Sequence, residues 1–369
     1  MQNCNRGTTL LALFLFLATA NSVFALPRFA ILEGEQCINC HINPTGGELR
    51  SPEEASDFMN SHLSFVQDHG GGFNFDPHLG EDILIGGDVR FQYLYDGQMK
   101  KTTFQSMEGA IYSAIHLYTS TRLYVKYDFV NSAYEAYGLY NFNQDNSYVK
   151  VGAFSPSYGI RLDDHTAYTR GGNFGLLQGI PLLGLIFSPD YRDLGVELGS
   201  KFGRLFVTAD LTNGNGLANY DFNSRKALIG RAEYMTHGFL NLVIGASGYF
   251  SGGTKMWGAH AGIGIGKRLS ILGEFDWARS LPTVLPVNSL SNASFVELSY
   301  YFARGLFGVA RFDYFKQYPG GPTYYRYILG ADVYPIPHID LIPQVRFNTT
   351  NVVGAPQPVE ALIQSHVYF

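Results

Sequence analysis

Apolar and polar side chains alternate along most of the chain after its first fifth, in segments of about ten residues. In the first such segment, Val89, Phe91 and Tyr93 lie on one face, while Arg90 and Gln92 lie on the other. A period of two is typical of a β-strand whose two faces meet different environments. Because charged side chains are costly against lipid, the polar face should line a wet interior. The pattern therefore predicts a transmembrane β-barrel.

Sixteen alternating segments can be counted, which predicts an all-β barrel of about sixteen antiparallel strands. They cover residues 83–95, 107–118, 121–130, 134–142, 147–154, 192–200, 204–212, 225–234, 239–250, 257–266, 269–278, 293–302, 306–315, 325–334, 339–347 and 359–369.

Short connections such as 119–120 and 202–203 alternate with longer ones such as 96–106 and 213–224. Outer-membrane barrels have short periplasmic turns and long external loops. An even number of strands then places both ends of the barrel on the periplasmic side.

The longest connection covers residues 155–191, and it is the third external one. Its position is similar to that of the general-porin loop that folds into the lumen, so an inward fold is expected here. Such a fold would form a charged constriction or a contact for a bound group, whereas the alternative is a solvated external loop. Its charged and ionisable residues include Arg161, Asp163, Asp164, His165 and Arg170.

The chain ends on Phe369 after an alternating segment, which resembles the signal read by the outer-membrane assembly machinery. A soluble β-sandwich is the alternative fold, but it would not explain this ending. After the first 25 residues, no apolar run approaches the ~20 residues of a membrane helix. The net charge is −5 and no basic cluster is present, which argues against nucleic-acid binding.

Residues 1–25 have the pattern of a secretory signal peptide. Arg6 supplies the positive charge, residues 10–18 form a short apolar stretch, and Ala25 closes a small-residue exit before Pro27. A membrane anchor is the alternative, but the apolar stretch is too short for one. We therefore expect cleavage and export.

Cleavage would remove Cys4 and leave Cys37 and Cys40 as the cysteines of the mature chain. Both belong to the sequence Cys37-Ile38-Asn39-Cys40-His41, which has the C-x-x-C-H pattern of c-type haem attachment. Two thiols three positions apart can bond the two vinyl groups of one porphyrin, and the adjacent His41 can supply the proximal iron ligand. The motif predicts one covalently bound haem c.

Three other interpretations of the motif compete with haem attachment. A Cys37–Cys40 disulfide would suit an oxidising compartment. A thioredoxin-like redox pair would need a βαβ context, which the pattern does not show. A zinc site would need two further ligands at matching spacing.

The residues that follow the motif in the sequence offer candidates for a second axial ligand of the haem. Residues 51–54, Ser-Pro-Glu-Glu, contain an N-cap, a proline at the first helical position and a capping-box glutamate, which predicts a helix over 52–67. This helix would place Met59 and His62 on one face, so either could bind the iron from the far side. The alternative is that Met59 packs in a core and His62 lies at the surface. The remaining candidates are His69, His78 and an open site.

The domain organisation is thus a signal peptide (1–25), a monohaem cytochrome c-like segment (26–80) that ends in a flexible joint at Gly70–Gly72, and a barrel (81–369). In this order the chain resembles the fused monohaem cytochrome–porins of outer membranes, which include the outer-membrane cytochromes of iron-oxidising bacteria. The stretch Pro27-Arg28-Phe29-Ala30, followed by the haem motif and Pro44, looks like the mature N-terminus of that family.

The resemblance implies outer-membrane electron transfer between an extracellular donor or acceptor, typically Fe(II) or a mineral, and periplasmic carriers such as a c-type cytochrome. It also implies that Cys37 and Cys40 hold the haem and that His41 ligates its iron. A hydrocarbon core of ~30 Å is too thick for one electron-tunnelling step, so a haem segment that plugs the barrel would explain the fusion.

Two rival functions remain: a solute or anion porin with a haem-bearing periplasmic appendage, and a porin sheath for a separate multihaem cytochrome. No hydrolase triad, phosphate loop or dinucleotide-binding motif is apparent.

Overall fold

The computed structural model describes residues 27–47, 49–50, 63–66, 76–143, 147–162, 164–177, 183–216, 221, 224–282, 284 and 288–369. The strands of the described chain are β1 His78–Leu79, β2 Ile83–Asp96, β3 Lys101–Tyr118, β4 Thr121–Asp128, β5 Ala133–Phe142, β6 Ser147–Phe154, β7 Asp193–Phe202, β8 Leu205–Thr212, β9 Ala227–Met235, β10 Leu240–Ser251, β11 Thr254–Ile265, β12 Leu269–Arg279, β13 Leu290–Ala303, β14 Leu306–Lys316, β15 Thr323–Ile336, β16 Ile339–Thr350 and β17 Val359–Tyr368.

Strands β2 to β17 form a closed antiparallel barrel of sixteen strands within the described residues. Each strand pairs with its neighbours in sequence, and β17 closes the barrel against β2 in a register that runs from Glu360–Asp96 to Tyr368–Asp88. The short strand β1 adds to the beginning of β2. The predicted fold class and the sixteen predicted strands are confirmed.

Several strands are longer than the alternation predicted, which shortens the loops between them. Strand β3 begins at Lys101, so the predicted connection 96–106 is in fact 97–100. Its first residues, Lys101, Thr102 and Thr103, are polar and pair with the end of β2. A hairpin that rises beyond the lipid loses the apolar face that marks a membrane strand, so the sequence pattern missed this extension.

The two faces of the strands separate as the alternation predicted. Asp88, Arg90 and Gln92 point inward and are buried, whereas Val89 and Phe91 are about half exposed on the outside. The other strands repeat this arrangement, so large apolar side chains cover the outer surface. A continuous apolar surface of this extent requires lipid around it.

The barrel has two ends, which differ in what enters the lumen. We call the end where β2 begins and β17 ends the near end; it carries short turns at 119–120, 203–204 and 266–268. The far end carries the connection 155–192, named L3 below. The near end is the one that the sequence predicts to be periplasmic.

L3 folds into the lumen, as its position predicted. Its buried aromatic residues Tyr158, Tyr168 and Phe187 pack against the inner wall, for example against Ile229 and Met256. L3 therefore divides the interior of the barrel and reduces its open cross-section.

The beginning of the described chain also lies inside the lumen, at the near end. We call residues 27–47 and 49–50 the plug. It contains helix α1 Pro27–Glu33 and a 3₁₀ turn at Cys37–Asn39, and α1 packs on β10, β11 and β12. None of the helices in the described part of the chain is long and apolar enough to cross a membrane.

Helix α1 was not predicted from the sequence. Its signals were present: Pro27 occupies the first helical position, and Gly34 follows the helix with a left-handed φ of 73°. A seven-residue helix is too short to show helical periodicity, which explains the omission. Of the predicted helix over 52–67, the structure describes only residues 63–66.

Candidate functional site

A cavity inside the barrel lies between the plug and L3. Its volume is about 280 Å³, close to the lower end of the roughly 300–1,000 Å³ of pockets that hold small molecules and cofactors. All three residues of the haem motif that carry its chemistry line it: Cys37, Cys40 and His41.

Tight local turns bring these three side chains together. The amide nitrogens of Cys40 and His41 both donate to the Cys37 carbonyl oxygen, at 3.1 and 3.0 Å. Cys40 is almost fully buried, and neither Cys37 nor Cys40 forms a disulfide. Burial raises the pKa of the Cys37 thiol; the negative charge of Glu233 adds to this effect, while Arg231 opposes it.

The orientation of His41 suits an iron ligand. Its Nδ1 lies 2.8 Å from the Gly47 carbonyl oxygen. A carbonyl oxygen only accepts hydrogen bonds, so Nδ1 carries the proton and Nε2 carries the lone pair. Metal-binding histidines almost always donate their other ring N–H in this way. Two cysteines that are not joined in a disulfide, both lining the cavity, and this tautomer of His41 fit a covalently attached haem.

Two glycines let the plug approach L3 closely beside the motif. Gly46 and Gly47 have φ values of 87° and 107°, which side chains rarely adopt. A Cβ at Gly47 would lie 2.7 Å from the guanidinium carbon of Arg161, and Arg161 donates to the Gly46 carbonyl at 2.6 Å. Arg161 thus joins L3 to the loop that follows the motif.

The other predicted L3 residues have structural partners. Asp164 pairs with Arg311 of β14 at 2.9 Å, and Arg170 pairs with Glu274 of β12 at 3.1 Å. His165 pairs with Asp190 within L3 at 3.2 Å. Asp163 lies outside the described residues.

Of the sequence-based candidates for the second axial ligand, the structure describes only His78. Met59, His62 and His69 lie outside the described residues. His78 is exposed on β1, where its Nδ1 lies 2.7 Å from the Asp76 carboxylate. His78 is not among the residues that line this cavity, and β1, on which it lies, pairs with the beginning of β2 at the near end.

A group of ionisable residues on the wall that faces the motif was not predicted from the sequence. Arg231 and Glu233 of β9 and His260 of β11 line the same cavity as Cys37. Their alternation marked them as inward-facing. Which inward-facing residues meet depends on the register of β9, β10 and β11, which the sequence pattern does not fix.

Solved outer-membrane proteins resemble the chain in fold. The high-pH structure of Pseudomonas putida OprB has a TM-score of 0.61 at 11% identity, over 84% of this chain and 99% of its own. OmpT of Vibrio cholerae has a TM-score of 0.56 at 14% identity, over 80% and 100%. The outer membrane channel DcaP of Acinetobacter baumannii has a TM-score of 0.54 at 12% identity, over 80% and 99%.

Scans against protein-family models and curated proteins give no match to the sequence. At the identities above, structural likeness establishes the fold alone. The chain has the porin-like barrel fold of Gram-negative outer-membrane proteins.

Proposed function

We propose that the barrel carries one haem c in its lumen and transfers electrons across the outer membrane. Cys37 and Cys40 would hold the haem by thioether bonds, and His41 would ligate its iron. The observation that carries the proposal is that the haem motif opens into the cavity between the plug and L3. The extracellular partner would be a donor or acceptor such as Fe(II), and the periplasmic partner a c-type cytochrome.

A bound haem supplies the one-electron chemistry, and the chain supplies its position and insulation. The near-end turns anchor the plug: Gln36 donates to the Arg204 carbonyl at 3.1 Å, and His237 donates to the Glu33 carbonyl at 2.9 Å. L3 covers the cavity from the far end through Arg161. The attachment residues are therefore fixed within the lumen, where a redox centre shortens the distance to each surface.

The test is electron transfer by the purified protein in liposomes, with Fe(II) outside and an oxidised c-type cytochrome inside. The protein is produced with the cytochrome c maturation system, and a pyridine haemochrome assay counts the haem. We expect one haem per chain and cytochrome reduction in the wild type. His41→Ala should abolish the reduction, while His78→Ala, a histidine outside the cavity, should not change it. Equal electron transfer by His41→Ala, or a colourless wild-type protein, would contradict the proposal.

A second candidate function is a solute or anion porin, and the structural comparisons favour it. One of the similar structures is an outer membrane channel by name. The plug and L3 both occupy the lumen, which argues against an open porin. Liposome swelling in sugars separates the two functions, because an open porin admits sugars and a plugged conduit does not.

A further inference from the structure

His260 is a buried histidine on the wall of the cavity that no sequence motif marks. It lies on β11, is 3% exposed and lines the same cavity as His41. Gly245 on the neighbouring strand makes room for it, since a Cβ there would lie 2.3 Å from His260 Nε2. The imidazole therefore has a specific place in the barrel wall.

The two ring nitrogens of His260 differ in their environment. Nε2 lies 3.1 Å from the carboxylate of Glu233, which Arg231 in turn holds at 2.5 Å. A carboxylate accepts, so Nε2 carries the proton. Nδ1 is buried and has no hydrogen-bond partner among the described residues. A buried nitrogen lone pair without a partner costs free energy, which a metal ion bound to Nδ1 would recover.

This arrangement is the one that metal-binding histidines adopt. Such a histidine donates one ring N–H to a carboxylate, which fixes the ring and increases the basicity of the other nitrogen. His366, a second buried histidine of the cavity wall, differs in this respect. Its Nε2 lies 3.0 Å from Asp88 and its Nδ1 lies 3.4 Å from Asp340, so carboxylates engage both nitrogens.

The group around His260 adjoins the haem-attachment residues. Glu233, which contacts His260, and Arg231, which contacts Glu233, are also the two charges with the largest effect on the pKa of the Cys37 thiol. A haem bonded to Cys37 and Cys40 would therefore extend into the part of the cavity that this wall group lines.

We propose that His260, through Nδ1, is the second axial ligand of the haem iron, opposite His41. The inference rests on the proposed haem attachment and deepens it. It replaces Met59 and His62 as the ligand, and it assigns Glu233 as the residue that positions the imidazole. Two histidine ligands would give a six-coordinate low-spin iron.

The test is the spin state of the purified haem protein, measured by visible absorption and electron paramagnetic resonance. His260→Ala should convert the low-spin iron of the wild type to a high-spin form, and added imidazole should restore the low-spin spectrum. The haemochrome count should stay at the wild-type value. His366→Gln is the matched control, and its iron should remain low-spin.

A second variant guards against misfolding of the first. His260→Met should stay low-spin and acquire a higher reduction potential, because a methionine ligand favours the reduced iron. An unchanged spectrum in His260→Ala, or a loss of the low-spin form in Met59→Ala or His62→Ala instead, would overturn the inference. Absence of haem from the wild-type protein would refute the proposed function itself, so the two failures are distinguishable.

Discussion

At the scale of single residues, buried charges inside the barrel are tolerated because they are paired. Arg28 of the plug lies between Asp332, with which it forms an ion pair, and Glu297, at 3.5 Å. Burial alone would lower the pKa of Arg28, but these negative charges, Asp332 foremost, outweigh it and raise the pKa above its usual value. Arg28 therefore stays charged and ties the plug to β13 and β15.

Arg28→Ala should destabilise the protein, because it leaves Asp332 and Glu297 buried without their cation. Breaking a buried pair from one side costs about 3–5 kcal/mol. Urea unfolding of the protein in liposomes would measure the change. Lys267→Ala is the control: its pair with Glu33 is more than half exposed on the lysine side, so less than about 1 kcal/mol is expected. Equal stabilities of the two variants would show that Arg28 does not anchor the plug.

At the scale of elements, L3 is held inside the barrel by polar contacts at several strands. Glu274 of β12 accepts from the Ile160 amide at 2.5 Å and binds Arg170, and Tyr158 donates to Asp276 at 2.9 Å. Two strands further along the barrel wall, Asp164 binds Arg311 of β14. These contacts give the loop one inward position, which its composition alone does not specify.

The Asp164 contact makes the closure by L3 sensitive to acid. Burial would raise the pKa of Asp164, but the charges of Arg311 and Arg346 outweigh burial and hold the pKa below its usual value. The released loop would have the ordinary value of about 3.9. The contribution of Asp164 to docking is thus complete above about pH 4 and declines as the pH falls below it.

We expect the conductance of the wild type in planar bilayers to be constant between about pH 5 and 7 and to rise below about pH 4. Asp164→Asn should conduct more at pH 7 and respond less to acid, because it lacks the titrating group. Lys226→Gln, at an exposed lysine near the far end, should behave as the wild type. The same acid response in Asp164→Asn and wild type would assign the effect to other carboxylates.

At the scale of the whole molecule, the barrel separates a lipid-facing surface from a charged interior. Large side chains such as Ile244, Leu329 and Val151 are more than half exposed on the outside, while acidic and basic residues are enclosed in the lumen. In the described part of the chain, the plug enters the interior from the near end and L3 enters it from the far end. The cavity between them is where the haem motif lies.

Ile244→Lys should destabilise the barrel in a lipid bilayer, because it places a charge near the middle of strand β10, on the lipid side. Such a charge costs about 2–4 kcal/mol at the midplane and about 0–1 near the interface. Leu228→Lys, close to the far end of β9, is the matched control. Folding titrations in liposomes would compare them. Equal destabilisation would contradict the assignment of Ile244 to the middle of the membrane.

The sequence by itself determined the features that depend on local order. Alternation gave the sixteen strands because the side-chain period of a strand is two, and it marked Arg90 and Gln92 as inward-facing. The C-x-x-C-H motif predicts haem attachment at Cys37, Cys40 and His41 because all five of its positions are contiguous. These inferences need no knowledge of what packs against the segment.

Only the tertiary structure decided which distant residues meet. The pairing of β9, β10 and β11 places His260 beside Glu233, and the inward path of L3 places Arg161 against Gly46. Both depend on barrel closure and strand register, which arise from many weak contacts summed over the whole chain. The sequence pattern therefore could not show that His260, Glu233 and Arg161 lie close to the haem motif.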